Sequence, residues 1–346
     1  MMKISQIALP MLSLLCLFSA SCIREEDVDN TPRGNFEALW KIIDEQYCFL
    51  DYKQIDWDSV YEVYSPQISD NMGSEALFEV LSRMLYVLKD GHVNLASAHN
   101  VSYYDEWYQG YPRNFDEELV EDYYLGRAST DYRTASGLKY KILEDNIGYI
   151  RYESFSSGVG EGNLDEVLSY LALCNGLIID VRNNGGGTLT YSSRIAARFT
   201  NETVLTGYIC HKTGTGHSDF SDPYPIELEP SNSIRWQKPA VVLTNRRAYS
   251  ATNDFVNQMS CLPLVTIMGD RTGGGSGMPF TSELPNGWTI RFSASPHFNA
   301  QMEHIEGGID PDIHVDMTDE DEQQGKDTII ETARAYLNGT WQADEE

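Results

Sequence analysis

Ser250 has the setting that most invites chemistry. It lies where an apolar run, Pro239 to Leu243, passes through Thr244-Asn245-Arg246-Arg247 and Ala248-Tyr249 into an amphipathic segment carrying Phe255, Val256 and Met259. A hydroxyl at such a strand-to-helix junction can stand at a sheet edge while the first helical N–H groups point at an oxyanion on its substrate. A serine there can equally cap the helix. Gly185-Gly186-Gly187, after the buried run Gly176 to Val181, is the second candidate. Glycines let backbone N–H groups approach a ligand with positive φ, so this segment reads as an oxyanion loop or as a plain turn. Neither a G-x-x-x-x-G-K-[ST] phosphate loop nor a G-x-G-x-x-G fingerprint is present. H-E-x-x-H and paired-cysteine patterns are missing too, so no metal and no organic cofactor is expected. No G-x-S-x-G elbow surrounds Ser250, which argues against an esterase-type hydrolase.

The elements that must hold these residues fall into two patterns. Residues 35–95 read as helical: Phe36, Leu39, Trp40, Ile43 and Tyr47 share one face behind Asn35 as cap, and Leu77, Leu81, Met84, Leu85 and Leu88 repeat the spacing. Residues 96–138 are polar but dense in aromatics (Tyr103, Tyr104, Trp107, Tyr108, Tyr111), without a period. They read as a substrate-covering loop or an irregular connection. From residue 139 strands alternate with helices. Ile147 to Tyr152, Gly176 to Val181 and Pro239 to Leu243 are strands. The first helix carries Leu164, Val167, Leu168 and Leu171 and is opened by Asn163 with Glu166 three later. Others cover Ser192 to Phe199 and Ile329 to Leu337, and Asn286-Gly287 marks a hairpin.

Five segments, in this order, resemble the tail-specific, C-terminal-processing serine peptidases (peptidase family S41). They are Leu88-Lys89-Asp90-Gly91-His92, Gly176 through Gly187, Val242 through Thr252, Gly269 through Gly275, and Gly308-Ile309-Asp310-Pro311-Asp312-Ile313. The resemblance implies an α/β catalytic core with a mixed sheet of the crotonase-like or ClpP-like type over residues 139–346. A small N-terminal helical domain (35–95) and a connecting segment (96–138) would precede it. Many relatives carry a PDZ domain between these parts; the stretch from Leu95 to Lys141 is too short for one. The usual lysine partner of the serine is also missing. Its place falls at Gly275, and Lys326 is the only lysine after Ser250.

The tricorn-like branch of the family uses a Ser-His-Glu set instead, which maps onto Ser250 as nucleophile, His92 as general base and Glu306, or else Glu303, as the acid that orients it. The oxyanion hole would come from the N–H groups of Gly186 and Ala251, with Gly185 or Gly187 one residue away. His99, His211, His217, His297, His304 and His314 match no motif and read as surface or packing residues. The expected reaction is peptide-bond hydrolysis through an acyl-enzyme on a peptide or protein substrate. The alternative is a catalytically silent peptidase fold that binds peptide or glycan.

Charge and targeting bound the setting. A net charge of -27, from 25 basic and 52 acidic residues, leaves no basic footprint for nucleic acid. Residues 1–22 read as a signal segment: Lys3, the apolar Ile7 to Phe18, then Ser19-Ala20-Ser21 before Cys22, which would be the lipidated first residue. The apolar run is too short to span a membrane, so the lipid would be the only membrane contact. Residues 23–34 read as an acidic tether resembling an export signal of Bacteroidetes lipoproteins. The chain is therefore expected at the cell envelope, on the periplasmic or outer face of the outer membrane. Cys48, Cys174, Cys210 and Cys261 fit no metal pattern, and no disulfide is assigned; Cys174 and Cys261 read as buried thiols. Oligomeric state is left open. Cys22→Ala is expected to move the protein from the detergent to the aqueous phase on partitioning; wild-type protein already in the aqueous phase would contradict the anchor.

Overall fold

The computed structural model describes residues 29–342. The signal segment with Cys22, and the tether as far as residue 28, lie outside the described residues. Helix α1 (Pro32–Gln46) begins inside the stretch read as tether. Thr31 caps it, its Oγ1 accepting the Gly34 N–H, and Pro32 supplies a preset φ where no N–H is needed. Asn35 is therefore not the cap. It is buried in the first turn, and its Oδ1 accepts the N–H of Asn286 at 3.0 Å, tying the helix to the Asn286-Gly287 hairpin. Helices α2 (Trp57–Tyr64) and α3 (Ser74–Tyr86) follow, then strands β1 (Asn94–Ala96) and β2 (Val101–Tyr103). The aromatic-rich connection contains β2 and a short α4 (Glu117–Leu119) that runs on as a π-helical turn, Val120–Leu125.

The remaining elements are β3 (Arg133–Ala135), β4 (Leu138–Ile142), β5 (Ile147–Tyr152), α5 (Glu161–Leu171), β6 (Gly176–Asp180), α6 (Leu189–Ala196), β7 (Val204–Ile209) and β8 (Tyr224–Leu228). After them come β9 (Ala240–Thr244), α7 (Ala251–Ser260), β10 (Val265–Gly269), β11 (Gly277–Glu283), β12 (Thr289–Asn299), β13 (Ile313–His314), α8 (Asp319–Gln323) and α9 (Thr328–Leu337). Helix α5 opens at Gly160 rather than at Asn163. Asn163 sits at the third helical position and its Oδ1 reaches back to the Gly160 N–H at 2.9 Å, while Glu166 accepts the Tyr140 hydroxyl.

Two sheets result. The seven-stranded sheet runs β13-β10-β9-β6-β5-β4-β3, parallel from β13 to β5 and antiparallel beyond. Its central strands are buried on both faces, which is why they read as continuous apolar runs. Leu177, Ile179 and Val242 face α5, α6 and α7, while Ile178, Val241 and Leu243 face α9 and the π-helical turn. The second sheet runs β2-β1-β12-β7-β8, with β11 also on β12, and is antiparallel. Leu95, Ile290 and Phe292 from this sheet, with Leu284 just after β11, share one core with α1 to α3. The N-terminal helices are thus fixed to strands that follow them by about two hundred residues. The result is the mixed α/β core with N-terminal helices that the sequence led to expect. Among the four described cysteines all are free thiols; Cys174 is buried, but Cys261 is partly exposed.

Beneath the end of β6, Arg182 is fully buried between Asp180 (2.7 Å) and Asp327 (2.9 Å). Its guanidinium and that of Arg151 also lie over the Phe115 ring. Buried charges persist only when paired, so this cluster locks α9 and residues 113–116 to the strand that carries the glycine loop.

Candidate active site

Ser250 occupies the cap position of α7 but does not cap it. Its φ is 59° and ψ -121°, and its side chain makes no bond to the helix. A non-glycine residue with positive φ is uncommon and costs ~1–3 kcal/mol, so its surroundings must hold it. They do: Tyr249 N–H donates to Asn184 O (3.1 Å), and Ser250 N–H to Gly274 O (2.8 Å). The turn aims Oγ at His92 Nε2, 3.0 Å away.

His92 follows α3 in the turn Lys89-Asp90-Gly91-His92. Its N–H donates to Asp90 Oδ1 at 2.8 Å, which fixes the residue relative to the carboxylate. Gly91 leaves no room for a side chain: a Cβ would stand 2.8 Å from Trp107 Nε1 and 2.9 Å from the Tyr249 hydroxyl. Trp107, from the aromatic connection, stacks on Tyr249 at 4.2 Å, so that segment covers one flank of the site. His92 is 4% exposed. Burial lowers its pKa from 6.5 to about 4; Asp90 opposes the shift, while Arg291 and Lys53 add to it.

The acid behind the histidine differs from expectation. Glu306 is buried, but its Oε1 pairs with Lys53 Nζ (3.0 Å) and its Oε2 accepts the Ser276 N–H (2.8 Å). No carboxylate oxygen of the described residues lies within 4.0 Å of either His92 ring nitrogen, and Nδ1 has no partner. Glu303 is exposed and accepts from Asn299. The carboxylate whose charge acts on His92 is Asp90. Its Oδ2 accepts the hydroxyls of Tyr47 (3.0 Å) and Ser293 (2.8 Å), with Lys53 Nζ at 3.7 Å. Burial works against the Asp90 anion, but Lys53, His92 and these bonds hold its pKa below the usual range. Burial, reinforced by Asp90, pushes Glu306 up, and Lys53 pulls it down. Asp90 stands within the sequence motif that gave His92; Lys53, in the turn after α1, had no such signal.

Of the two N–H groups expected to form an oxyanion hole, that of Ala251 is free among the described residues and that of Gly186 is not. Gly186 N–H donates to Asn184 Oδ1 at 3.0 Å and is not free for a ligand. Gly186 serves another purpose. With φ at +97°, it packs where a Cβ would lie 2.8 Å from Ser250 Cβ and 2.9 Å from Ala251 N. Exposed Gly187 lines the cavity that holds Ser250, and its N–H and that of Ala251 have no partner among the described residues. This cavity has a volume of about 110 Å³. His297, read as a surface or packing residue, lines it as well. An open groove of about 630 Å³ between α3 and β2 shares no lining residue with it. Among the described residues, Glu117, Glu121 and Glu153 stand close enough to hold a metal ion. They are exposed, however, and Lys139 Nζ pairs with Glu121 (3.2 Å) and Glu153 (2.7 Å).

Residues 146–315 match the family model for peptidase family S41, and residues 29–86 that for the Tricorn protease C1 domain. The Tricorn protease of Thermoplasma acidophilum is 31% identical over 164 residues, 46% of this chain and 14% of that one. The chloroplastic C-terminal processing peptidase of Tetradesmus obliquus is 25% identical over 185 residues, 53% of this chain and 38% of that one. The chain thus spans well under half the length of these curated relatives. A solved structure of a candidate peptidase from Parabacteroides merdae superposes with a TM-score of 0.85 at 55% identity, covering 89% of this chain and 97% of that one.

Lys53 is the cation between two buried carboxylates, so Lys53→Met leaves Asp90 and Glu306 without one and raises both pKa values. A carboxyl with a folded pKa above its unfolded value costs stability while ionised, and the cost fades as pH falls through the folded pKa. The variant is expected to lose ~3–5 kcal/mol at about pH 8 and distinctly less at about pH 5, read from urea midpoints. An equal loss at both would contradict the charge cluster.

Proposed function

Because the chain belongs to peptidase family S41, a family of serine peptidases, we propose that it hydrolyses peptide bonds through an acyl-enzyme on Ser250, with His92 as general base. The observation that carries this reading is the 3.0 Å contact between His92 Nε2 and Ser250 Oγ, made by a serine whose side chain is left free of its helix. With its pKa near 4, His92 is neutral around pH 7 and can accept the serine proton at Nε2, which requires the hydrogen to be on Nδ1. As Oγ attacks, the carbonyl carbon becomes tetrahedral, and its oxyanion is received by the N–H groups of Ala251 and Gly187. The imidazolium so formed is stabilised by the Asp90 charge and then returns the proton to the leaving amine. Asp90 and Glu306, joined through Lys53, hold a fixed charge pattern behind the histidine, and Glu306 acts through Lys53 and the Ser276 N–H rather than on the imidazole. The same reading has the mature chain held at the cell envelope by a lipid on Cys22.

The test is mass spectrometry of a diverse peptide mixture incubated with the chain lacking its first 22 residues, beside Ser250→Ala and His92→Ala. Cleavage by the wild type is expected to fall at least ~10³-fold in each variant. Cleavage that persists in Ser250→Ala removes the nucleophile assignment. Cleavage by none of the three favours a protein that binds without turnover.

A further inference from the structure

The inner face of β12 gives the Ser250 cavity a chemical character that catalysis does not use. Ile290 and Phe292 point into the helical core, so Arg291 and Ser293 face the other way, toward the site. Arg291 lines the cavity and is half-buried. Its guanidinium makes one hydrogen bond among the described residues, a long one from Nη1 to Asn94 Oδ1 at 3.4 Å, and no carboxylate of those residues lies within 4.0 Å of it. That is unusual in a chain where 52 acidic residues outnumber 25 basic ones.

Two more polar groups in the same wall are stranded. Ser276 and His297 line the cavity and are only 8% and 6% exposed, and their Oγ and Nε2 have no hydrogen-bond partner among the described residues. Buried polar atoms are normally bonded, so unpaired ones beside a cavity mark where water or a polar group of a substrate can bond. The space, about 110 Å³, is several times the ~10–15 Å³ that a single water needs. Asp254 is the one carboxylate in the lining. Its Oδ2 is taken by Ser192 Oγ (2.8 Å) and Gln258 Nε2 (2.6 Å), and its Oδ1 faces His297 Nδ1 at 3.9 Å. The groups closest to its oxygens are therefore Ser192, Gln258 and His297, and Arg291 is not within 4.0 Å of them.

We propose that this cavity selects substrates by a carboxylate next to the scissile bond, held by the Arg291 guanidinium with the Ser276 hydroxyl as a further donor. The inference rests on Ser250 being the nucleophile of a peptidase. A planar guanidinium can meet both oxygens of a carboxylate, which an uncharged pocket cannot reproduce. The carboxylate is either an acidic side chain or the free C-terminus of the substrate, and the two share this chemistry.

Binding to Ser250→Ala takes turnover out of the readout. The probes are pools of one randomised peptide carrying a central Glu, Gln or Lys, each with a free or an amidated C-terminus. Binding roughly 10–100-fold tighter is expected either for Glu over Gln, the side-chain source, or for free acid over amide, the terminal source. Adding Arg291→Met should abolish that preference, and Arg291→Lys, which keeps the charge but not the planar fork, should weaken it. No difference among the pools, a preference that survives Arg291→Met, or a preference for Lys, which would point to Asp254, overturns the inference. Ser250-dependent cleavage of the uncharged, amidated pool as fast as of the others would overturn it too, while leaving the peptidase reading intact.

Discussion

The hydrogen bond between His92 Nε2 and Ser250 Oγ joins segments 158 residues apart, and much of the architecture exists to make it. The serine must stand in a left-handed conformation that its own chain disfavours, so the glycine loop and the Gly273–Gly275 segment clamp it from either side. The histidine must arrive from a helical region that is remote in sequence. It does so because β1, immediately after His92, pairs with β12, and because α1 to α3 bury their apolar faces against the same strand. Loosening that packing would separate base from nucleophile without touching either.

A second constraint is electrostatic. A neutral imidazole beside the serine needs a dry setting, and a dry setting makes the later imidazolium costly. The site meets both demands with fixed charges at a short remove: Asp90 held by Tyr47, Ser293 and the His92 N–H, and Lys53 bridging Asp90 to Glu306. Each of these groups is anchored by hydrogen bonds from both the helical region and the strand-rich core, so the charge pattern is itself part of what joins the two.

The strands around β6 and β9, the hairpin at Asn286-Gly287 and the pairing of Ser250 with His92 were legible because they depend on local pattern or on ordered motifs. What was not legible depends on atoms distant in sequence. Which glycine offers its N–H is decided by the Asn184 side chain, which occupies that of Gly186. The orientation of Glu306 is set by Lys53, a lysine in an unremarkable turn. Arg291 and His297 lie on either side of a register shift at Ala294 in β12, and only the folded sheet reveals that both line the cavity of the nucleophile. Helix starts moved for a simpler reason: Thr31-Pro32 and Gly160 outcompete Asn35 and Asn163 as entry points, and the asparagines serve the turn from within.

The most direct test of the account is the intact mass and adduct site of the chain after brief exposure to a serine-directed fluorophosphonate across a range of pH. The account predicts a single adduct on Ser250, formed at a rate that falls at least ~10³-fold in His92→Ala and that in the wild type declines only as pH drops toward about 4. An adduct elsewhere, none at all, or labelling of Ser250 that is indifferent to His92 would contradict the dyad on which the structure is built.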